Sequence, residues 1–365
     1  NVKDIKDIDY TVNEKINIGF VSFDFSRNHP ITFFIKNTIK YLDKNKFRVY
    51  IFSFAKKNNK DESQNELKNL SDVWLDVQMF NNQQTANLIQ EKKINILFDV
   101  MGLTATDRLE IFNTRVAPIQ VSWLAYCNTL GFKNIDYIIA DKNLIIEGEE
   151  KFYSERVIKL PEIWNAHSGF DFKRNFNDLP SLNNKSFTFG SFNNFKKISD
   201  EVINVWSTIL QNTPNSQLIL KSSTFCDPTI LINKFKKKGV DHKIKILDKA
   251  NFLEKKDHLK LYNTIDLALD TFPYNGVTTT FEALWMNVPV VVLKGYNFNS
   301  RCGESIIANS KLDYLISSNI DEYIQKAINL SDNKKKLMEL RKQLYDTVLS
   351  TPLFDTKRFS KNFNN

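Results

Sequence analysis

The chain has 365 residues, 42% hydrophobic and 13% aromatic, enough to bury sizeable cores in two domains of ordinary size. Its formal charge of +8 points to an anionic partner, but the lysines are spread along the chain with no basic block and no nucleic-acid motif, so a diphosphate ligand accounts for the charge as well as nucleic acid does. Cys127, Cys226 and Cys302 stand far apart without a CxxC pair, and no apolar run approaches membrane-spanning length, which excludes a disulfide framework, a zinc site and a membrane-spanning chain and fits a reducing, cytoplasmic compartment.

Lys15 to Phe23 is apolar and β-rich and predicts a buried strand. A polar loop, Asp24 to Pro30, leads into a helix to about Leu42, with Pro30 tolerated in its first turn because the missing N–H has no partner there. Strands are expected at Arg48–Phe54, Ile94–Val100, Ile119–Leu124 and Asp136–Ala140, with a helix over Gln83–Lys93. Leu160 to Lys185, rich in Asn, Asp, Pro and Ser, reads as a linker. A second alternation follows: strands at Phe187–Phe192, Ser216–Lys221, Ile244–Leu247, Ile265–Asp270 and Pro289–Leu293, and helices at Asp200–Gln211, Pro228–Lys238, Lys255–Asn263 and Thr278–Met286. Helices over Asn319–Leu330 and Asn333–Leu349 close it. Such alternation predicts an α/β chain with two Rossmann-like parallel sheets, and ligands at the carboxyl ends of the strands, in a cleft between lobes.

The most informative segment is Asp266 to Met286, DLALDTFPYNGVTTTFEALWM. A strand ends at Asp270, a turn runs through Gly276, and Thr278 or Thr279 is placed to cap a helix. The free N–H groups of that first turn and the helix dipole suit a diphosphate, Gly276 allows close backbone approach, and Glu282, one turn in, could accept ribose hydroxyls. The same segment also reads as a capped, buried helix with no ligand. In Phe189 to Asp200, FGSFNNFKKISD, strand residues lead through Asn193, Asn194 and Lys197 to a helix capped by Ser199. Lys197 could neutralise a departing pyrophosphate, or be one more solvated lysine. His29, in the loop after the first strand, has the chemistry of a general base near neutral pH, and equally that of a structural or exposed histidine. His258 could stack on a nucleobase. Asp7–Asp9 is the only DxD and precedes the first strand, which favours a reaction without a metal; no metal-binding residues are expected.

Taken together, these segments resemble the protein O-GlcNAc transferase family, including its SPINDLY branch, from about Ile16 to Phe359. The likeness runs in order through GFVSFDFSRNHP, ILFDVMGLTATDRL, RVAPIQVSWLAYCNTLG, DYIIAD, FGSFNNFKKISDEVINVWSTIL, PNSQLILK, DTFPYNGVTTTFEALWMNVPVV and TPLFDTKRF. The resemblance implies a GT-B fold with two Rossmann-like domains facing across a cleft: residues 1–175 on the acceptor side, 176–345 binding the nucleotide sugar, and 346–365 packing back on the first lobe. It implies an inverting, metal-independent transfer of a sugar to Ser or Thr hydroxyls of a protein or peptide. It assigns diphosphate contacts to Lys197 and the Thr278–Thr279 helix start, with Asn194 near the phosphates. Glu282 falls at the ribose, Lys255 beside the base, His258 stacked on it, and His29 where a catalytic base has been considered, the donor phosphate or a water chain being the alternatives.

The sequence also departs from the family pattern. Val277 replaces a histidine of the animal enzymes, Asn95 stands where they have a second active-site histidine, and the loop before His29 is one residue longer. No tetratricopeptide repeats precede the domain in this sequence, and they are expected either upstream of Asn1 or not to be used for acceptor choice. The co-substrate implied is UDP-GlcNAc, as in the animal-type enzymes, or GDP-fucose, as in SPINDLY-type ones, with UDP-GlcNAc favoured and no other cofactor. The rival readings are a GT-B enzyme with a sugar or lipid acceptor, a non-catalytic nucleotide-binding scaffold, and a nucleic-acid binder supported only by charge.

Overall fold

Strands of two to seven residues alternate with helices along the chain, and they assemble into two all-parallel sheets. The structure is a computed structural model that describes every residue except 1, 13, 27, 28, 59, 106, 173–177, 185, 222–226, 248–254 and 365. The chain divides into two compact units, one holding the residues up to Ser168 and those from Asp355 on, the other Gly169–Phe354.

The first unit contains β1 (Ile16–Ser22), α1 (Ile31–Lys40), β2 (Phe47–Ser53), α2 (Glu62–Leu70), β3 (Val73–Asp76), α3 (Asn82–Glu91), β4 (Ile96–Asp99), β5 (Ile119–Ser122), β6 (Tyr137–Asp141) and β7 (Arg156–Leu160). Its strand order is β3-β2-β1-β4-β5-β6-β7, with Ile18 paired to Val49 on one side and Ile96 on the other. β1 is an interior strand, and its residues from Ile18 on are buried whichever way they point. Sequence periodicity does not reveal α2, β3 or β7. α2 is polar and is started by Asp61, whose carboxylate accepts the Gln64 N–H at 3.0 Å. β3 and β7 are short, half-exposed edge strands.

The second unit contains α4 (Pro180–Asn184), β8 (Phe187–Ser191), α5 (Asp200–Asn212), β9 (Ser216–Lys221), α6 (Pro228–Lys236), β10 (Ile244–Leu247), α7 (Lys255–Lys260), β11 (Leu267–Leu269), α8 (Thr278–Trp285), β12 (Val290–Leu293), α9 (Phe298–Ala308), β13 (Ile316–Ser317), α10 (Ile320–Asp332) and α11 (Lys334–Leu349). Its order is β10-β9-β8-β11-β12-β13. In both sheets the order reverses beside the first strand, between β1 and β4 and between β8 and β11. The chain ends as α12 (Thr356–Phe363) in the first unit, where Phe359 and Phe363 pack on Trp123 with ring centroids 6.2 and 4.7 Å away and Asn37 donates to Thr356 Oγ1 at 3.1 Å.

The expected linker, Leu160 to Lys185, contains the passage from one unit to the other after Ser168, but much of it is packed into the units it joins. Ile163, Trp164, Ala166 and His167 are buried in the first unit, with the His167 ring stacked on Phe33, and Phe170 meets Trp285 edge-on in the second. Helix α9 is a further addition, obscured because Arg301, Glu304 and Ser305 are buried on it and break the apolar pattern. Lys255–Asn263 splits into α7 and a 3-10 turn, Leu261–Thr264. Among the described residues no helix is long and apolar enough to cross a membrane.

Under β11, Arg341 of α11 is buried and its Nη1 donates to the carbonyls of Ile265 and Asp266 at 2.8 and 3.0 Å. The Asp266 carboxylate in turn accepts the N–H groups of Ser181 at 3.1 Å and Thr188 at 2.8 Å. Arg341→Met would leave these buried acceptors without the guanidinium, and urea unfolding is expected to show a loss of about 3 kcal/mol.

Candidate active site

In the second unit, the loops leaving β8 and β11 meet where the strand order reverses. The Asn194 side chain accepts the Lys196 N–H at 3.0 Å and starts a short 3-10 turn, Phe195–Lys197, and the Ser199 hydroxyl caps α5 by accepting the Val202 N–H at 3.2 Å. This turn carries Lys197 toward the β11 loop, where its Nζ donates to the Asn275 carbonyl at 2.7 Å and lies 4.2 Å from the centre of the Tyr274 ring.

The β11 loop is shaped by Asp270. Its Oδ1 accepts the N–H groups of Gly276 at 2.8 Å and Thr271 at 2.9 Å, and the Asn193 amide at 3.3 Å. Its Oδ2 is buried without a hydrogen-bond partner among the described residues, and burial raises the carboxyl to about 7. Asn193 passes the constraint on, since its Oδ1 accepts the Thr279 hydroxyl at 3.0 Å. Gly276 is required for an internal reason: a Cβ there would lie 2.2 Å from Thr279 Oγ1 and 2.7 Å from Asn193 Oδ1.

Neither threonine caps α8. Val277 occupies the N-cap and has no side chain that can serve it, while the hydroxyls of Thr279 and Thr280 are turned to Asn193 and to the Gly276 carbonyl. The Thr278 and Thr279 N–H groups therefore have no hydrogen-bond partner among the described residues, at the positive end of a helix dipole and on the same turn that anchors Lys197.

Glu282 sits deeper on α8, 2% exposed. Its Oε1 is ion-paired with Lys255, and its Oε2 takes His258 Nε2 at 2.9 Å and the Tyr262 hydroxyl at 3.1 Å. Burial alone would raise this carboxyl, but Lys255 and His258 outweigh it and hold it well below the ordinary carboxylate range. Both oxygens expected at a ribose are thus already occupied within the protein. Lys221, at the end of β9, reaches His258 Nδ1 at 2.9 Å. Tyr262 joins the two halves, since its hydroxyl also contacts the Thr279 carbonyl at 3.2 Å. Sequence reasoning missed Lys221, Tyr262 and Asp270; only Asp270, at a strand end before a Gly turn, carried a local signal.

His29 belongs to the first unit. Its side chain is 40% exposed, with Nε2 3.2 Å from the buried Asp24 Oδ1. Desolvation disfavours the charged form of each partner, lowering the imidazole to about 4 and raising Asp24 to about 7. At the end of β4, Asp99 accepts the N–H groups of Met101 at 3.0 Å and Gly102 at 3.1 Å, and burial raises it to about 6. Asn95 is not at this end of the sheet. It precedes β4 at the amino edge, where its side chain accepts the Asn17 N–H at 2.9 Å and donates to the Tyr10 carbonyl at 3.0 Å.

The Glycosyl transferase family 41 profile matches residues 4–181 and 172–363. The chain belongs to this family. The Arabidopsis thaliana relative described as a probable UDP-N-acetylglucosamine–peptide N-acetylglucosaminyltransferase SPINDLY is 32% identical over 351 residues, 94% of this chain and 38% of the relative. A mutant of the Thermobaculum terrenum O-GlcNAc transferase superposes with a TM-score of 0.89 at 31% identity, over 98% of this chain and 67% of that one. A mutant of S. aureus TarM, at 11% identity and TM-score 0.60 over 96% of this chain and all of that one, shares the fold alone. The fold is GT-B. The chain spans about 38% of the length of its SPINDLY relative.

For this family 41 chain the buried Asp270 has a consequence for stability. Between the unfolded value near 4 and about 7, the folded protein holds a proton on Asp270 that the unfolded chain has released. Its contribution is therefore complete below that window and is lost as the pH rises through it. Asp270→Asn is expected to remove that part of the slope, seen by comparing urea unfolding of the two proteins from pH 4.5 to pH 8.

Proposed function

We propose that the chain is the catalytic part of an inverting glycosyltransferase that moves GlcNAc from UDP-GlcNAc to Ser or Thr hydroxyls of proteins without a metal. The observation that carries this reading is the placement of the Lys197 ammonium on the same turn as the uncapped start of α8. A lysine and free helix amides converging beyond the carboxyl ends of β8 and β11 are arranged to receive a diphosphate. The SPINDLY relative, a probable UDP-N-acetylglucosamine–peptide N-acetylglucosaminyltransferase, and the Thermobaculum terrenum O-GlcNAc transferase support GlcNAc as the sugar.

In this mechanism the acceptor hydroxyl oxygen bonds to the anomeric carbon from the face opposite the phosphate. The bond from that carbon to the phosphate oxygen breaks, and UDP leaves with the electron pair. Lys197 and the Thr278 and Thr279 amides oppose the negative charge that grows on the diphosphate in the transition state. Asn194 and Gly276 shape the loops around it, and Lys255, His258 and Glu282 form the nucleoside end. His29 is the side chain assigned to take the hydroxyl proton; burial keeps its imidazole neutral but also lowers its proton affinity, so the base must gain strength when donor and acceptor are bound. The acceptor is a protein segment, and the compartment is the cytoplasm.

Calorimetric titration with UDP-GlcNAc, GDP-fucose, UDP and GDP tests the donor. UDP preferred over GDP is the expected result. A GDP preference would move the chain to O-fucosyl transfer, and binding of none by folded protein would leave a scaffold. Lys197→Ala is expected to lower turnover on a peptide acceptor at least about 100-fold. Near-normal turnover in that variant would remove Lys197 from the mechanism.

A further inference from the structure

We propose that Lys221 is a positioning residue that sets the tautomer and plane of the His258 ring, so that the ring offers the nucleoside only its face. This rests on the reading of the nucleoside end given above. Among the described residues, Lys221 is the one buried lysine, with a relative exposure of 5%. A buried lysine at the last position of an interior strand gives up hydration for whatever it meets there, and what it meets is His258 Nδ1 at 2.9 Å.

An ammonium has only protons to give. Nδ1 is therefore the acceptor, and the ring proton sits on Nε2, where it is donated to Glu282 Oε2 at 2.9 Å. The chain of donors is directional, from Lys221 to His258 to Glu282. It is fixed at its far end, because Lys255 holds the other carboxylate oxygen and Tyr262 donates to Oε2 at 3.1 Å. A flipped ring would set carbon atoms against both Lys221 and Glu282, so one orientation is selected.

With both nitrogens used, His258 has no hydrogen-bonding edge left for a base. Its π face remains, and a stack on that face is tolerant of base identity. Removing Lys221 would release Nδ1 and allow the second tautomer and the flipped ring. Nucleotide affinity should then fall for UDP and GDP in parallel, without a change in their ratio.

The test uses the full chain with 15N-labelled histidine, as wild type, Lys221→Met and Lys221→Arg, read by imidazole NMR and by UDP and GDP titration. The expected wild-type ring is protonated at Nε2 with Nδ1 accepting. The arginine variant keeps this signature because it still donates. The methionine variant loses it while the signals of His29, His167 and His242 stay in place, and it binds both nucleotides about tenfold more weakly, the scale of one charge-assisted hydrogen bond. A wild-type ring protonated at Nδ1 would overturn the proposal even if the methionine variant failed to fold. So would a methionine variant with an unchanged ring and unchanged affinity. If the wild type binds neither nucleotide, the nucleotide reading of the site fails, and the ring signature in the ligand-free proteins still decides whether Lys221 positions His258.

Discussion

One oxygen atom, Asp270 Oδ1, organises the turn on which the proposed diphosphate site is built. It draws in the Thr271 and Gly276 N–H groups and the Asn193 amide, so the chain must fold back between β11 and α8. Asn275 rides on this turn. Its carbonyl anchors Lys197, its amide donates to the Thr271 carbonyl at 2.8 Å, and its Oδ1 accepts the Gly303 N–H at 3.1 Å, which ties the turn to α9. The Asp270 carbonyl accepts the Tyr323 hydroxyl at 2.8 Å, and Tyr323 accepts the Trp206 indole at 3.3 Å, tying it also to α10 and α5. The site is therefore held by a polar network in which each member has few alternatives, the condition under which buried polar groups specify one geometry.

The nucleoside end follows a different principle. Asp270 is buried with its charge suppressed, whereas Glu282 is equally buried and stays ionised because Lys255 and His258 surround it. The two carboxyls differ in partners rather than in depth: Asp270 faces mostly amides, whereas Glu282 faces the Lys255 ammonium, the His258 ring and a hydroxyl. Tyr262 couples these environments through a single hydroxyl, and burial together with Glu282 raises its own proton affinity, so it remains a donor.

Much of the fold was legible because a buried parallel strand is a short apolar run and a helix start is a short polar signal. Ser216–Lys221 and Ile244–Leu247 have the bounds that hydrophobicity implies, and Ser199 caps α5 as its position suggests. What could not be read is what depends on a third dimension. The threonines of VTTT look like caps, yet the Thr279 and Thr280 hydroxyls find Asn193 and the Gly276 carbonyl instead, and Val277 holds the N-cap without a side-chain hydrogen bond. Asn95, which the family resemblance sets at an active-site position, falls at the amino edge of the sheet, at the other end of β4 from the loop that follows Asp99. Lys221 looks like any other lysine until β9 and α7 bring it to His258.

The two units also reach the same local solution from unlike sequences. The fourth strand of each sheet, β4 or β11, lies beside the point of reversal and is followed by a buried aspartate, Asp99 or Asp270, that accepts two backbone N–H groups of the loop it starts. A glycine receives the carboxylate in both, Gly102 at φ 56° and Gly276 where no Cβ fits. Burial raises both acids for the same reason, that a turn tight enough to satisfy the carboxylate with amides excludes the water that would ionise it. The carboxylate is thus first a device for turning the chain at a strand end. In the second unit the same turn also carries the lysine anchor and the open helix start, so the chemistry proposed for this protein is built on a structural element that each sheet possesses.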